Sequence, residues 1–424
     1  MLKNGGMKVR AECQFAKAGQ GLFYNGLLVN QKGSSFSFVY DCGTSASDKV
    51  LSNSLLEYKE ISDKRLDLLS ISHFHKDHVS HIPELLDGLE LGTVIIPFVK
   101  PELRLLLAAQ YDDIETDDER IRLYNNPVIY FLSHGAESVL VGVSSENEDF
   151  DFWGEPNSNF SQEGDDSQDN PNHIFVIGNN ATDTTSFFES KAVEYSGCFS
   201  VISRSYQWEF RFKNMHDDRM HGDFGDEITK LLEKHDNRFD EILRNKSYTK
   251  QLRKIYEDNF RGGINDTSLI LLSQPLIKGW LVGNCSCYDV LKDCTNCSDE
   301  CQKNWRKLGH AASLLLGDLS INHRMLDHYF HRINTHLPQL PRVIQLPHHG
   351  AKMKNHPFKC EICHFYKHKC HFPSSFVASY GIKNRYGHPD MSYCINCHRC
   401  DLHWKNVNIE LVNERKDFSY TISF

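Results

Sequence analysis

The sequence predicts an α/β protein built in layers, and three observations carry that expectation. The apolar run Leu66-Asp67-Leu68-Leu69-Ser70-Ile71-Ser72 reads as a buried strand. Ile82-Pro83-Glu84-Leu85-Leu86, with a proline suited to a first helical turn, reads as the helix that follows it. Val94-Ile95-Ile96-Pro97 then repeats the strand pattern, and helical stretches at 47–60 and 101–124 flank these strands. In the second stretch Leu103, Leu106 and Leu107 share one face with Gln110, and the leucines are available for packing.

The remaining elements follow in order. Residues 8–43 read as two or three strands, with Gly19, Gly21 and Gly33 at turns. Residues 128–132 read as another strand, ending at Ser133-His134-Gly135. Strand-like runs recur at 199–202 and 208–212. Residues 224–260 read as helix, with Ile228, Leu231 and Leu232 on one face and Gly262-Gly263 as the stop. That helix carries Arg244, Lys246, Lys250, Arg253 and Lys254, a pattern shared by solvated faces and polyanion contacts. Residues 268–272 and 280–282 read as paired strands, and 343–346 as the strand before His348-His349-Gly350.

Composition sets the class. At 40% hydrophobic and 24% charged, the chain is an ordinary globular sequence. It has no apolar run of membrane-spanning length and no signal-peptide core after its first residues, so a cytoplasmic protein without membrane association is expected. Residues 144–172 hold nine acids and no Lys or Arg, which accounts for the whole net charge of −9. The acidity is therefore local, and a basic groove elsewhere remains compatible with it. The expected organisation is one domain over 1–424, with an acidic flexible insertion at 144–172 and cysteine-rich segments at 285–301 and 356–403.

The chemistry concentrates at His73-Phe74-His75-Lys76-Asp77-His78, on the loop between the first buried strand and its helix. His73 and His75, two apart in extended chain, point the same way. Asp77 and His78 enter the turn and face a second position a few ångströms away. Mixed nitrogen and oxygen donors at this spacing suit Zn²⁺, Mn²⁺ or Fe.

The fourteen cysteines are clustered. Cys360, Cys363, Cys394 and Cys397 make two C-x2-C pairs, which suit tetrahedral zinc. Cys294, Cys297 and Cys301 with Cys285 suggest a further zinc site; Cys287 or His310 are alternatives to Cys285 there, and Cys370, Cys400, His364 and His398 are alternatives at the first. All-thiolate sites leave no position for water, so both are expected to be structural.

Further blocks are Ala18-Gly19-Gln20-Gly21-Leu22, Val39-Tyr40-Asp41-Cys42-Gly43, Leu314-Leu315-Leu316-Gly317-Asp318, Leu346-Pro347-His348-His349-Gly350 and Asn384-Arg385-Tyr386-Gly387-His388-Pro389. With the histidine motif, they resemble the metallo-β-lactamase superfamily, and their order is similar to the hydrolase domain of ComEC-type DNA-uptake proteins and their soluble relatives. The resemblance runs through most of 8–424 in scattered blocks. It implies a four-layer αββα sandwich with insertions and C-terminal cysteine-rich zinc-binding elements.

The same resemblance implies roles. His73 and His75 would hold one ion with Asn265 or Asp266, which stand where lactamases and glyoxalases carry a third-motif histidine. Asp77, His78 and His349 would hold a second, with Asp318 bridging. Asp41 would support the site from behind, with a plain strand-end aspartate as the alternative; His134 would be structural or support the ligands, with the third-motif metal histidine as its alternative. His348 would touch substrate or a ligand, and His388 would contact the scissile phosphate or protonate the leaving group. One or two Zn²⁺ or Mn²⁺ ions would make a hydroxide at neutral pH. The implied activity is that of a phosphodiesterase or nuclease on nucleic acid or a nucleotide, with Lys352, Lys354, Lys359, Lys367 and Lys369 as a phosphate-attracting rim. The alternatives are a lactone, β-lactam or thioester hydrolase and a non-catalytic zinc-binding scaffold.

Overall fold

The computed structural model describes residues 9–46, 48–111, 118–143, 172–180, 191–215, 223–259, 268–276, 280–282, 311–319, 341–351, 374–385, 387–389 and 407–423. The chain opens with an antiparallel meander, β1 (Arg10–Phe15), β2 (Gly21–Val29) and β3 (Ser35–Thr44). Helix α1 (Asp48–Ile61) carries it to β4 (Arg65–Ser70), which lies parallel to β3. Short α2 (Lys76–Val79) and α3 (Ile82–Leu86) lead to β5 (Glu90–Pro97). Then come α4 (Pro101–Ala108), α5 (Glu119–Asn125), α6 (Pro127–Ser133) and β6 (Ser138–Val143), with β4, β5 and β6 parallel.

Strands β7 (Phe175–Asn180), β8 (Ala192–Ser203) and β9 (Trp208–Met215) follow. Helices α7 (Asp223–Lys234), α8 (Phe239–Arg244) and α9 (Lys246–Asn259) precede β10 (Ser268–Pro275) and β11 (Trp280–Val282). The last strands are β12 (Ala312–Leu315), β13 (Pro341–Gln345), β14 (Ser374–Ser379), β15 (Val407–Val412) and β16 (Phe418–Ser423), with β12 to β15 parallel and β16 returning to pair with β1.

The sheet folds into two facing halves. Phe36 and Phe38 of β3 meet Phe210 of β9 at centroid distances of 5.9 and 5.1 Å, and the Tyr40 hydroxyl donates to the Leu269 carbonyl of β10 at 2.7 Å. These contacts belong to an aromatic-rich core between the halves. A second core packs Leu69 and Val94 of the first half against Leu51, Leu105, Phe131, Ile228 and Leu252 from the helices. One helical layer and two sheet layers are thus in place. The fourth layer of the expected αββα order does not occur among the described residues.

Three expectations need correction. Residues 128–132 are helical, within α6. Asn126 caps that helix by accepting from the Ile129 amide, and Pro127 opens it. Burial of Val128 with Phe131 and of Pro127 with Tyr130, while Ile129 is 60% exposed, is helical spacing hidden inside a short apolar run. The single helix at 224–260 is three helices, because Asp236 and Asn237 adopt left-handed backbone and Asn245 restarts the chain by accepting from Ser247 N. Strands 268–275 and 280–282 do not pair with each other; β10 pairs with β9 and β12, and β11 with β16.

The expected insertion at 144–172, apart from Asn172, and that at 285–301 lie outside the described residues, as do the eight zinc-site cysteines, His310, the 352–369 lysines, Asn265 and Asp266. Among the described residues no helix is long and apolar enough to cross a membrane.

Candidate metal centre

The C-terminal ends of parallel strands from both halves converge on one place. β4 delivers His73 and His75, α2 delivers Asp77 and His78, β12 delivers Asp318, and β13 delivers His348 and His349. Two donor groups result, His73 with His75 and Asp318, and Asp77 with His78 and His349. Within each, the ligand atoms all lie within 4.8 Å of one another. Asp318 joins the two groups: one oxygen is 3.7 Å from His73 Nε2 and the other 3.4 Å from His78 Nε2.

The ligand rings are held from behind. His78 Nδ1 donates to Asp41 at 2.7 Å. Asp41 also accepts from the Ser72 amide and the Ser72 hydroxyl, both at 2.6 Å, and that hydroxyl accepts from His73 Nδ1 at 2.8 Å. His349 Nδ1 donates to the Ser379 carbonyl at 2.6 Å. Each of these bonds turns an Nε2 lone pair toward the centre, which is how such imidazoles are oriented for ligation. Asp41 and both site histidines at 348 and 349 have left-handed φ values of 60°, 50° and 55°, so the surrounding packing enforces their directions.

Close packing sets the loops. A side chain at Gly43 would meet the His78–Val79 backbone at 2.5–2.6 Å, so only glycine lets α2 lie against β3. The Gln345 side chain accepts from Leu316 and Gly317 amides and donates to the Gly317 carbonyl, at 3.0–3.1 Å, clamping the turn that presents Asp318. Tyr124 donates to the Phe74 carbonyl at 2.7 Å and so backs the histidine loop.

The donor set suits a cation. Nε2 of His73, His75 and His78 and Oδ1 of Asp318 are buried without a hydrogen-bond partner. Burial resists ionisation of Asp318 and Asp77, yet the neighbouring imidazoles hold both carboxyls below the usual range, His78 and His348 for Asp318, His349 and His78 for Asp77. Burial pushes His73 and His75 down, favouring the neutral form that can ligate. His78 goes the other way: burial opposes its charge, but Asp318 and Asp41 raise it. Against burial, Asp77 raises His349 likewise. His73 and His75 thus offer neutral donors, while His78 and His349 sit beside carboxylates that favour positive charge there, a charge a divalent metal would supply in place of protons.

The other expected residues fall into place unequally. His348 Nδ1 lies 3.6 Å from Asp318 and its side chain is 17% exposed, at the edge of the centre. His388 sits on a loop whose Pro389 packs against Gly350, the residue after His349. Asn384 spans that loop, donating to the Gly381 and His388 carbonyls at 2.6 Å and accepting from the His388 amide at 2.9 Å. His134 contacts Tyr130 and Glu119 in α6 and α5, and it belongs to neither donor group. Ser72, Gln345, Ser379 and Asn384 went unnoticed in the sequence; a serine before the first histidine and a glutamine closing an apolar strand were the available signals.

Residues 20–146 match the family model described as the metallo-beta-lactamase superfamily. No curated protein matches the chain. Among solved structures, the metallo-beta-lactamase fold protein YhfI from Bacillus subtilis is similar at 7% identity and a TM-score of 0.34, over 98% of this chain and all of that one.

Proposed function

We propose that this chain is a metal-dependent hydrolase that cleaves phosphodiesters, in nucleic acid or in a nucleotide. The observation that carries the reading is Asp318, whose two oxygens reach toward both donor groups. A pair of divalent ions, Zn²⁺ or Mn²⁺, would supply Lewis acidity and a nucleophilic water at neutral pH, and paired ions suit in-line displacement at phosphorus. His73, His75 and Asp318 would hold one ion, and Asp77, His78 and His349 the other.

The chain's own groups do the rest. Asp41 and Ser72 fix the rings of His78 and His73, so neither of these imidazoles must turn during reaction. His348, 17% exposed at the edge of the centre, would meet an incoming oxyanion. His388, braced by Asn384 beside Gly350, is the group assigned to the leaving oxygen, holding the proton on its imidazole. A lactone or thioester hydrolase is the weaker reading, because the sequence lacks the Gly-His-x-x-Gly segment of that class. In the same proposal Cys360, Cys363, Cys394 and Cys397, and Cys285, Cys294, Cys297 and Cys301, hold structural zinc.

The test is turnover of bis-p-nitrophenyl phosphate with Mn²⁺ or Zn²⁺, beside a lactone and a thioester. Phosphodiester turnover is expected; lactone or thioester turnover alone contradicts the reading, and no turnover at all favours the scaffold.

A further inference from the structure

We infer that a basic stripe on α9 continues through Arg253 and Tyr111 to the metal loop, and that it binds the backbone of a single-stranded nucleic acid. The substrate class rests on the phosphodiester reading; the surface itself rests on contacts that reading does not use.

Lys246, Lys250 and Arg253 recur at i, i+4 and i+7, which is one stripe of a helix, with Lys254 beside it. The opposite side of α9 buries Leu252 and packs Ile255 and Tyr256 onto the helical core. Lys246, Lys250 and Lys254 are exposed, and none forms an ion pair with a described residue. Lys246, Lys250 and Arg253 are thus spaced by about 6 and 4.5 Å along the axis.

Arg253 leaves this stripe and donates to the backbone carbonyls of Ala109 and Tyr111. The Tyr111 ring carries two more cations, Lys76 Nζ at 5.1 Å and the Arg120 guanidinium at 4.8 Å. Arg120 is neutralised by Asp118, but Lys76 has no carboxylate partner among the described residues. Lys76 stands between His75 and Asp77 in the metal loop itself. Lys76 and Arg253 thus meet Tyr111 from the metal loop and from α9, with Lys250 and Lys246 further along the same side of the helix and exposed Glu257 beyond Arg253.

The depth of the centre selects the strand type. His73 and His78 are buried, and the donor groups reach solvent only at the edges of His75 and Asp77. A phosphate must enter a recess while its neighbours stay on the surface, which a flexible single strand does and a stiff duplex does not.

The test is anisotropy of fluorescein-labelled 30-nucleotide strands with a non-hydrolysable phosphorothioate backbone, in DNA and RNA arms and a duplex arm. The proteins are the full chain and its Lys246→Gln/Lys250→Gln variant. Both residues are exposed, and equal melting temperatures exclude misfolding. Expected are single-strand binding weakened about tenfold in the variant and a salt slope lower by about 1.4, the value for two lost phosphate contacts. Unchanged affinity and slope, no binding by the unaltered protein, or tighter binding of the duplex overturns the inference. If bis-p-nitrophenyl phosphate is not hydrolysed while these shifts appear, the proposed chemistry fails and the surface stands; the converse result sinks the surface alone.

Discussion

His78 Nδ1 lies 2.7 Å from the Asp41 carboxylate, and neither side chain reaches solvent. Through the Ser72 hydroxyl the same carboxylate also steadies His73. Asp41→Asn keeps the shape and tolerates the left-handed backbone, but loses the anionic acceptor. Metal affinity should fall roughly 10- to 100-fold, the usual effect of removing a ligand's orienting partner. Competition with a chromogenic chelator reads this; wild-type affinity would remove Asp41 from the account.

Gly317→Ala tests the close approach that places Asp318. Gly317 has φ +56°, and an added Cβ would stand 2.9 Å from Ser72 Cβ. The strain should cost on the order of 1–3 kcal/mol and displace the Asp318 carboxylate. Thermal melts and metal titration should both worsen. A variant as stable and as metal-loaded as wild type would show that the turn has room to spare.

Asn384→Ala removes three hydrogen bonds from the His388 loop and touches no metal ligand. Turnover should fall about tenfold or more in kcat, since positioning is lost at the group proposed to act in the transition state. Metal content should stay at the wild-type level. His388→Ala should behave the same way, and the double variant should be little worse than either alone. Additive losses would mean that Asn384 acts independently of His388.

The cysteines give a separate expectation. Burial pushes the Cys13 thiol up to about 12 and raises Cys42 as well, so both should resist a thiol reagent in the folded protein. An organomercurial should form mercaptides with the eight proposed ligand cysteines and liberate zinc in proportion. Full thiol reactivity before any zinc release would refute the structural zinc sites.

Much of the local chemistry was legible in the sequence, and long-range closure was not. His73, His75, Asp77 and His78 share one loop, so spacing alone places them together. Asp318 and His349 reach it from strands of the other sheet half, and only the order of motif blocks hinted at that. The support residues were hidden for a plainer reason. Ser72, Gln345 and Asn384 act through neighbours that the chain brings near only after the halves close. The α6 segment shows the limit of periodicity, since a seven-residue helix with one exposed isoleucine looks like a buried strand. The motif order offers Asn265 or Asp266 to His73 and His75, with Asp318 bridging; Asn265 and Asp266 lie outside the described residues, and Asp318 stands with the two histidines.

The most direct test titrates Mn²⁺ or Zn²⁺ into metal-depleted protein while following bis-p-nitrophenyl phosphate hydrolysis, for wild type and Asp77→Ala. The account predicts activity that saturates at two ions beyond the structural zinc. It also predicts a loss in Asp77→Ala larger than the roughly 100-fold expected from disturbing an orienting partner. Wild-type protein with both donor groups filled that leaves the phosphodiester intact, while opening a lactone or thioester, would contradict it.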